Sequence, residues 1–379
     1  MRIIEAISDT NIGGAGILLL TRLSTDSKMN GDTTVVLPRG SALKGRFEAI
    51  GTKTEEVAGC ADSSFELFTI TKYMRIIRHL KPDIINAHGC LSFRIAAFLC
   101  GVPVRIYTRH CTFPIKKIYR VPILKKFAGG CQGILSNGVI AVAEIVKKDL
   151  IEMGVSDKMI QVIINGTSGI RRLSEEERKK IRKRLSIPEN AVVVGIFARL
   201  EEYKGHKDLI EAAECLLNTS DSFRFLVVGK GSYEKELLEY CRKKGVLHRI
   251  IFTGFAEDIT EYLNVTDINV NCSHGTETSS LALSEGMSIG IPMVASDFGG
   301  NRYMVENRIN GLLYPPYDSC ELAKAIKKIA SDDSLRRSLS ENARKRYERE
   351  LNAKEMTKAT YDYYMRLWSA MRGDGLKNP

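Results

Sequence analysis

The sequence predicts an α/β protein of two doubly wound, Rossmann-like domains, and three observations carry that prediction. Short apolar runs alternate with longer amphipathic segments along the whole chain, the pattern of buried parallel strands joined by helices. The alternation starts afresh near residue 191 after a charged stretch, and 379 residues leave room for two domains of ordinary size. Small-residue turns follow several of the runs, where an open sheet of this kind binds its ligands.

In the first half, residues 3–7 read as the first strand, followed by Asn11-Ile-Gly-Gly-Ala-Gly and an apolar helix over 15–29. Gly13 and Gly14 would let a ligand approach the backbone at the start of that helix, where unpaired N–H groups attract phosphate. A tight turn needing glycine for packing is the alternative. The stretch is not G-x-G-x-x-G and no acidic residue closes a strand about 20 residues on, so a dinucleotide site is disfavoured. Strands follow over 33–37, 83–87 and 104–108, with helices over 68–80 and 91–100 between them. His88 and His110 each fall just beyond a strand end, in equivalent positions facing one cleft.

Residues 105–126 hold seven Lys/Arg and no Asp/Glu, interleaved with Tyr107, Phe113, Tyr119 and aliphatic side chains. That mixture suits a surface meeting anionic lipid or a lipid-phosphate acceptor; a solvated basic loop is the other reading. Pro114 and Pro122 argue against one uninterrupted helix there. A strand over 139–142, a helix over 144–153 and a strand over 159–164 ending in Asn165-Gly166 complete this half. Residues 171–184, with eight basic side chains beside Glu175, Glu176 and Glu177, read as a solvated helix.

The second half opens with a strand over 191–197 and then Arg199-Leu-Glu-Glu-Tyr-Lys204-Gly205, leading into a helix over 207–217. A guanidinium and an ammonium at a strand end can clamp an anion. The strand over 224–228 ends at Gly229-Lys-Gly231, before a helix over 233–244, and the strand over 250–253 ends at Gly254-Phe255. Between strands over 267–270 and 292–295 lies the loop 273–280, then a helix of two to three turns from near Ser280. Glu277 stands in the loop and Glu285 in the helix. Residues 310–316 close the sheet, and helices over 320–330, 335–350 and 353–372 finish the chain.

Glu277-x7-Glu285, followed by Gly-Met-x-x-Gly-x-Pro-x-Val-Ala-x-Asp, resembles the donor-site signature of the retaining family 4 glycosyltransferases of GT-B fold. Arg199-x4-Lys204-Gly resembles the element of that family that holds the donor diphosphate. The resemblance implies an acceptor-side domain over 1–168, a nucleotide-sugar domain over 186–352, a central cleft, and a C-terminal helix over about 353–379 packing back on the first domain. It assigns the diphosphate to Arg199, Lys204 and the helix start at Thr278, Ser279, Ser280 and Leu281. Glu277 would take the sugar hydroxyls and Glu285 the ribose. Gly229 would lie beside the nucleotide, with Gly254 and Phe255 at the base. Gly13 and Gly14 would lie opposite the diphosphate, His110 near the sugar with His88, and Asn165 at the end of the first domain.

The implied reaction moves a sugar from a nucleotide diphosphate, UDP being favoured, to a hydroxyl of a saccharide or lipid-linked acceptor, in envelope polysaccharide or glycolipid synthesis, with the anomeric configuration retained. The chain carries no Asp-x-Asp, so neither metal nor cofactor is expected. Two departures leave the sugar open. Tyr303 stands where relatives usually carry glutamate, and Thr278-Ser279-Ser280 stands where Gly-Phe-Gly is common.

Composition sets the outer bounds. A hydrophobic content of 44% suits a packed globular protein, and no stretch approaches the roughly 20 apolar residues of a membrane span. The N-terminus lacks an apolar core and cleavage site, so a cytoplasmic protein, peripheral at the membrane's inner face, is expected. Nine scattered cysteines without a C-x-x-C pair suggest reduced thiols. A net charge of +11 implies an anionic partner. Nucleic acid is disfavoured by the acid-balanced second half and the lack of a stacking-aromatic motif. A sugar-nucleotide epimerase or other GT-B enzyme and a non-enzymatic basic anion- or membrane-binding protein remain as alternatives. A glycosidase needs facing carboxylates without phosphate ligands.

Overall fold

The computed structural model describes residues 1–59, 61–112 and 121–373. They form two units, Met1–Gly166 joined by the helix Ala353–Arg372, and Thr167–Asn352.

The first unit is built on seven strands, β1 (Ile3–Ile7), β2 (Thr33–Pro38), β3 (Lys53–Val57), β4 (Ile84–His88), β5 (Val104–Arg109), β6 (Gly138–Ala141) and β7 (Ile160–Val162). All pair in parallel, in the order β3-β2-β1-β4-β5-β6-β7. β1 and β4 are fully buried, which explains their unbroken apolar reading; parallel strands covered on both faces have no solvent side to alternate with. Val139, whose backbone N–H bonds to Tyr363 at 3.1 Å, and Met159, whose carbonyl accepts from the same hydroxyl at 3.0 Å, tie β6 and the lead into β7 to the C-terminal helix. Gly138 makes that possible, since a Cβ there would sit 2.5 Å from Leu367 and 2.7 Å from the Tyr363 hydroxyl.

The second unit holds β8 (Val192–Phe197), β9 (Phe223–Val228), β10 (Ile250–Gly254), β11 (Ile268–Asn271), β12 (Met293–Ser296) and β13 (Gly311–Tyr314), parallel in the order β10-β9-β8-β11-β12-β13. Val194, Ile196, Phe225, Val227, Ile268 and Val270 pack with Leu209, Ala213, Leu237 and Ile326 from the covering helices as one core. Both sheets reverse direction of growth at one place, between β1 and β4 and between β8 and β11. There the outgoing connections diverge and leave a crevice at the strands' C-terminal ends.

Two elements differ from the sequence expectation, and two others agree with it. The helix expected over 15–29 is two, Gly14–Thr25 and Ser27–Asp32, because the Asp26 carboxylate accepts the backbone N–H groups of Lys28 and Met29 and starts a new turn. β3 was not expected: Lys-Thr-Glu-Glu-Val is an edge strand, and charge protects an edge while erasing the apolar signature. Pro122, expected to stand against one uninterrupted helix over 105–126, is the first residue of the helix Pro122–Leu135. The solvated helix expected over 171–184 is present as Glu175–Arg184, its start set by a Ser174–Glu177 capping box, with acids in the first turn and bases in the last.

Candidate active site

In the second unit, the expected anion-binding residues meet at the reversal point. Arg199 and Lys204 lie on the loop leaving β8, Glu277 on the loop leaving β11, and Lys204 Nζ stands 2.8 Å from Glu277 Oε2. Glu277 is 6% exposed and held from below: Ser273 Oγ donates to Oε2 at 2.9 Å and Asn271 Nδ2 at 3.4 Å. A buried carboxylate with these donors stays in place, and Lys204 supplies the opposite charge that makes its burial tolerable. Thus a carboxylate can stand beside an anion site because the site's own cation balances it. Arg199 is exposed, donates to the Tyr203 hydroxyl at 2.7 Å, and makes no ion pair among the described residues.

Backbone contacts lock these loops together, and glycine is what allows them. A Cβ on Gly205 would fall 2.0 Å from the Cys272 carbonyl, and one on Gly300, in the loop after β12, 1.8 Å from the Thr278 carbonyl. The N–H of His274 donates to the Tyr203 carbonyl at 2.9 Å, and that of Gly300 to the Glu277 carbonyl at 2.9 Å. Asn301, fully buried, donates to Ser296 Oγ at 3.0 Å and Asn271 Oδ1 at 3.3 Å, completing the support. None of Tyr203, Asn271, Ser273, Ser296 or Asn301 was singled out from the sequence; small polar residues at strand ends carry no signal of their own.

The helix Leu281–Ser288 follows directly, with Ser280 as its cap: its Oγ accepts the Leu283 N–H at 3.3 Å. Ser279 Oγ is buried without a hydrogen-bond partner, and Thr278 is buried. Glu285, half-buried on the helix, has its carboxyl pushed up to about 7 by burial, with the charge of Asp258 adding to the effect. At neutral pH it therefore sits near its midpoint and gains from ligands that donate to the charged form. Gly229 is required by packing, since a Cβ would meet the Ala198 carbonyl at 2.0 Å; its N–H bonds to the Gly254 carbonyl at 2.9 Å. Gly254 has a positive φ of 74°, and Phe255 beside it is 74% exposed, a flat apolar surface next to these strand ends. Two hollows of about 320 and 420 Å³ lie at the opposite, N-terminal ends of the strands and contain none of the expected site residues.

In the first unit, His88 Nδ1 lies 2.7 Å from His110 Nε2, the two rings edge to edge with centroids 5.0 Å apart and planes 22° apart. The two histidines are not equivalent. His88 is buried, and its Nε2 is 2.8 Å from Glu5, so both of its nitrogens are engaged inside the protein. His110 is half-buried, and burial, with His88 and Arg22 adding to it, lowers its pKa well below the ordinary histidine value. Asn165, also buried, lines a small cavity of about 30 Å³ with His88, His110, Arg22 and Thr108, room for a water and not for a sugar. In the glycine turn, Gly16 is fixed by packing against Leu43, whose Cδ1 would be 2.5 Å from an added Cβ, whereas Gly14 faces open space. Gly13 caps the helix in extended conformation.

The basic surface expected over 105–126 needs correction. Arg105 donates to the carbonyls of Val102, Ile134 and Leu135, and Arg109, buried, to the Cys111 carbonyl and the Met153 sulfur. These two brace β5. Residues 113–120 lie outside the described residues. From 121 onward Val121, Ile123 and Phe127 are exposed, at 47%, 79% and 71%, next to Lys125 and Lys126. No helix among the described residues is long and apolar enough to cross a membrane.

Comparison with known proteins follows the same division. A family model described as Glycosyltransferase Family 4 matches residues 12–168, and one described as Glycosyl transferases group 1 matches 177–346. The chain is 30% identical over 179 residues to EpsD of Bacillus subtilis, an alignment spanning about half of each protein, 47% of both. It is 26% identical over 315 residues to the UDP-Gal:α-D-GlcNAc-diphosphoundecaprenol α-1,3-galactosyltransferase of Escherichia coli, 79% of each. HepE from Anabaena, solved in complex with UDP, superposes with a TM-score of 0.84 at 22% identity, covering 97% of this chain and 100% of that one. The fold is therefore GT-B.

Proposed function

We propose that this chain, which belongs to the family 4 glycosyltransferases of GT-B fold and acts on nucleotide sugars, moves a hexose from UDP to an acceptor hydroxyl with retention of configuration and without a metal. The observation that carries the donor-site reading is the Lys204–Glu277 pair at the β8/β11 reversal. A departing diphosphate gains negative charge in the transition state, and fixed cations aimed at it stabilise that state more than the substrate. Lys204, positioned by Glu277, and Arg199 are those cations, with the start of the helix Leu281–Ser288 beside them.

The sugar's hydroxyls satisfy Glu277 as the diphosphate engages Lys204, and Glu285 accepts the ribose hydroxyls. His110 orients the sugar or the acceptor. The base rests at Gly254 and Phe255. UDP is favoured by the complexes of HepE with UDP and UDP-glucose. A lipid-linked or polysaccharide acceptor is favoured by the names of the Escherichia coli galactosyltransferase and the capsular polysaccharide transferase CapM of Staphylococcus aureus. Val121, Ile123 and Phe127 beside Lys125 and Lys126 suit a peripheral contact with the anionic membrane that would carry such an acceptor.

Thermal unfolding with UDP, GDP and ADP, each with and without chelator, tests the reading. Ligand at a hundredfold excess over Kd raises stability by roughly 2.7 kcal/mol. Stabilisation by UDP that survives the chelator is the expected result; no shift from any nucleotide would remove the donor site.

A further inference from the structure

The two hollows at the N-terminal ends of the second sheet form one groove. They measure about 320 and 420 Å³, and Glu175, Arg178, Asp267 and Arg336 line both. Arg178 comes from the helix Glu175–Arg184 and Arg336 from the helix Asp333–Arg346, so guanidiniums from two separate elements stand where the hollows meet. Arg172 and Arg337 line the smaller hollow, and Lys179 and Arg182 the larger. Six Lys/Arg therefore line the groove against three acids, Glu175, Glu189 and Asp267. The six-residue strand β8 separates this end of the sheet from the loop that carries Arg199 and Lys204, roughly 20 Å at the rise of an extended residue.

The walls of the groove are held by bonds that a ligand would not disturb. Asn264 accepts the Leu173 N–H at 2.8 Å and donates to the Arg171 and Thr260 carbonyls, both at 2.9 Å. Arg182 donates to the Asp267 carboxylate at 3.0 Å and to the carbonyls of Pro188, Glu189 and Ala191, while Asp267 also accepts the Val193 N–H at 2.8 Å. That acid is balanced within the wall. Arg178 and Arg336 are held differently. Their acid partners, Glu175 at 2.8 Å and Asp333 at 2.7 Å, have side chains 78% and 74% exposed. Exposed pairs of this kind are weak, because water screens both charges. A phosphate, with several oxygens matched to the guanidinium fork, can take the place of either acid. Arg337, exposed, adds a third guanidinium next to Arg336, its Nε donating to the Asp333 carbonyl at 3.3 Å.

The lining also selects among anions. No aromatic ring lines either hollow among the described residues, and the aliphatic side chains there are buried or half-buried. A nucleobase finds nothing to stack on, and an acyl chain finds no apolar surface. We propose that this groove is a second anion site, remote from the donor loops, in which Arg178 and Arg336, with Arg337 next to them, bind the phosphate of a small phosphorylated compound. It does not rest on the function proposed above.

Calorimetric titration of the full-length protein with glucose 6-phosphate and with inorganic pyrophosphate, at physiological ionic strength, tests it. Binding of at least one compound is expected to survive in Lys204→Ala and to weaken roughly tenfold in Arg336→Gln, the effect of losing one hydrogen bond to a charged group. Tighter binding of glucose 6-phosphate would assign the groove to sugar phosphates, and tighter binding of pyrophosphate to diphosphates. Binding abolished by Lys204→Ala and unchanged by Arg336→Gln would belong to the donor loops and overturn the proposal, as would no binding of either compound at millimolar concentration. Lys243→Gln, which removes an exposed cation outside the groove, should leave the affinity unchanged; a loss equal to that in Arg336→Gln would show a general charge effect and overturn the site. Should Arg336→Gln fail to fold, Arg337→Gln, at an exposed position, should weaken binding in the same direction, and an unaltered affinity there would count against the groove.

Discussion

The two units place charged residues at the same point of the same topology and use them in opposite ways. At the β1/β4 reversal, Glu5 lies in the middle of a strand, and its charge is met from all sides by Arg22, His88 and Tyr364. At the β8/β11 reversal, Lys204 and Glu277 stand on loops past the strand ends, with side chains 16% and 7% exposed. The first arrangement is closed, with His110 at its edge. In the second, Ser273 and Asn271 hold Glu277 from one side while Lys204 at its rim can exchange this partner for a ligand. A crevice in an open sheet is made by topology, but whether it binds depends on whether the charges sit in the strands or on the loops beyond them.

If that contrast holds, the largest effect should come from the closed network. Glu5→Ala leaves the Arg22 guanidinium buried without a counter-charge, at an expected cost of about 3–5 kcal/mol in urea unfolding of the first unit. Glu277→Ala frees Lys204, which can reach water, and should cost about 1 kcal/mol. Equal losses would break the comparison.

Lys204→Ala should show the reverse: transfer falling by about 10²–10³-fold, the effect of deleting one preorganised electrostatic group, with the fold intact. Near-normal turnover would move the diphosphate elsewhere.

A smaller effect concerns Glu285. Its carboxyl, at about 7, is raised from 4.5, so between those values the folded protein binds more protons than the unfolded chain and stability falls as pH rises. Glu285→Gln should therefore match the parent at pH 4 and exceed it at pH 8, by roughly 3 kcal/mol at about 1.4 kcal/mol per unit. Nucleotide affinity in the parent should tighten from pH 6 to pH 8, and that trend should vanish in the variant. A pH-independent difference would remove Glu285 as the titrating group.

The same contrast explains what was legible in the sequence. Arg199, Lys204, Glu277 and Glu285 are close in sequence within two loop-to-helix segments, so spacing alone could pair them with the strand ends that position them. His88 meets Glu5, and Glu5 in turn meets residues 22 and 364, brought together by the sheet and by the returning C-terminal helix. Glu5 in Ile-Ile-Glu-Ala-Ile reads as an interruption of a strand, not as a buried acid, because its counter-charge sits a helix away. His88 and His110 looked alike for a similar reason: both follow apolar runs, and only the stacking of β4 beside β5 shows that one lies under the other. Edge strand β3 and the cap at Asp26 were lost because local polarity there serves protection and chain reversal rather than a buried face.

The central claim is that Lys204 meets the diphosphate. Calorimetric titration of the parent and of Lys204→Ala with the stabilising nucleoside diphosphate and with its monophosphate tests it most directly. The gain in affinity from the second phosphate should be present in the parent and largely lost in the variant, while the monophosphate binds both alike. An equal gain in both proteins would contradict the account.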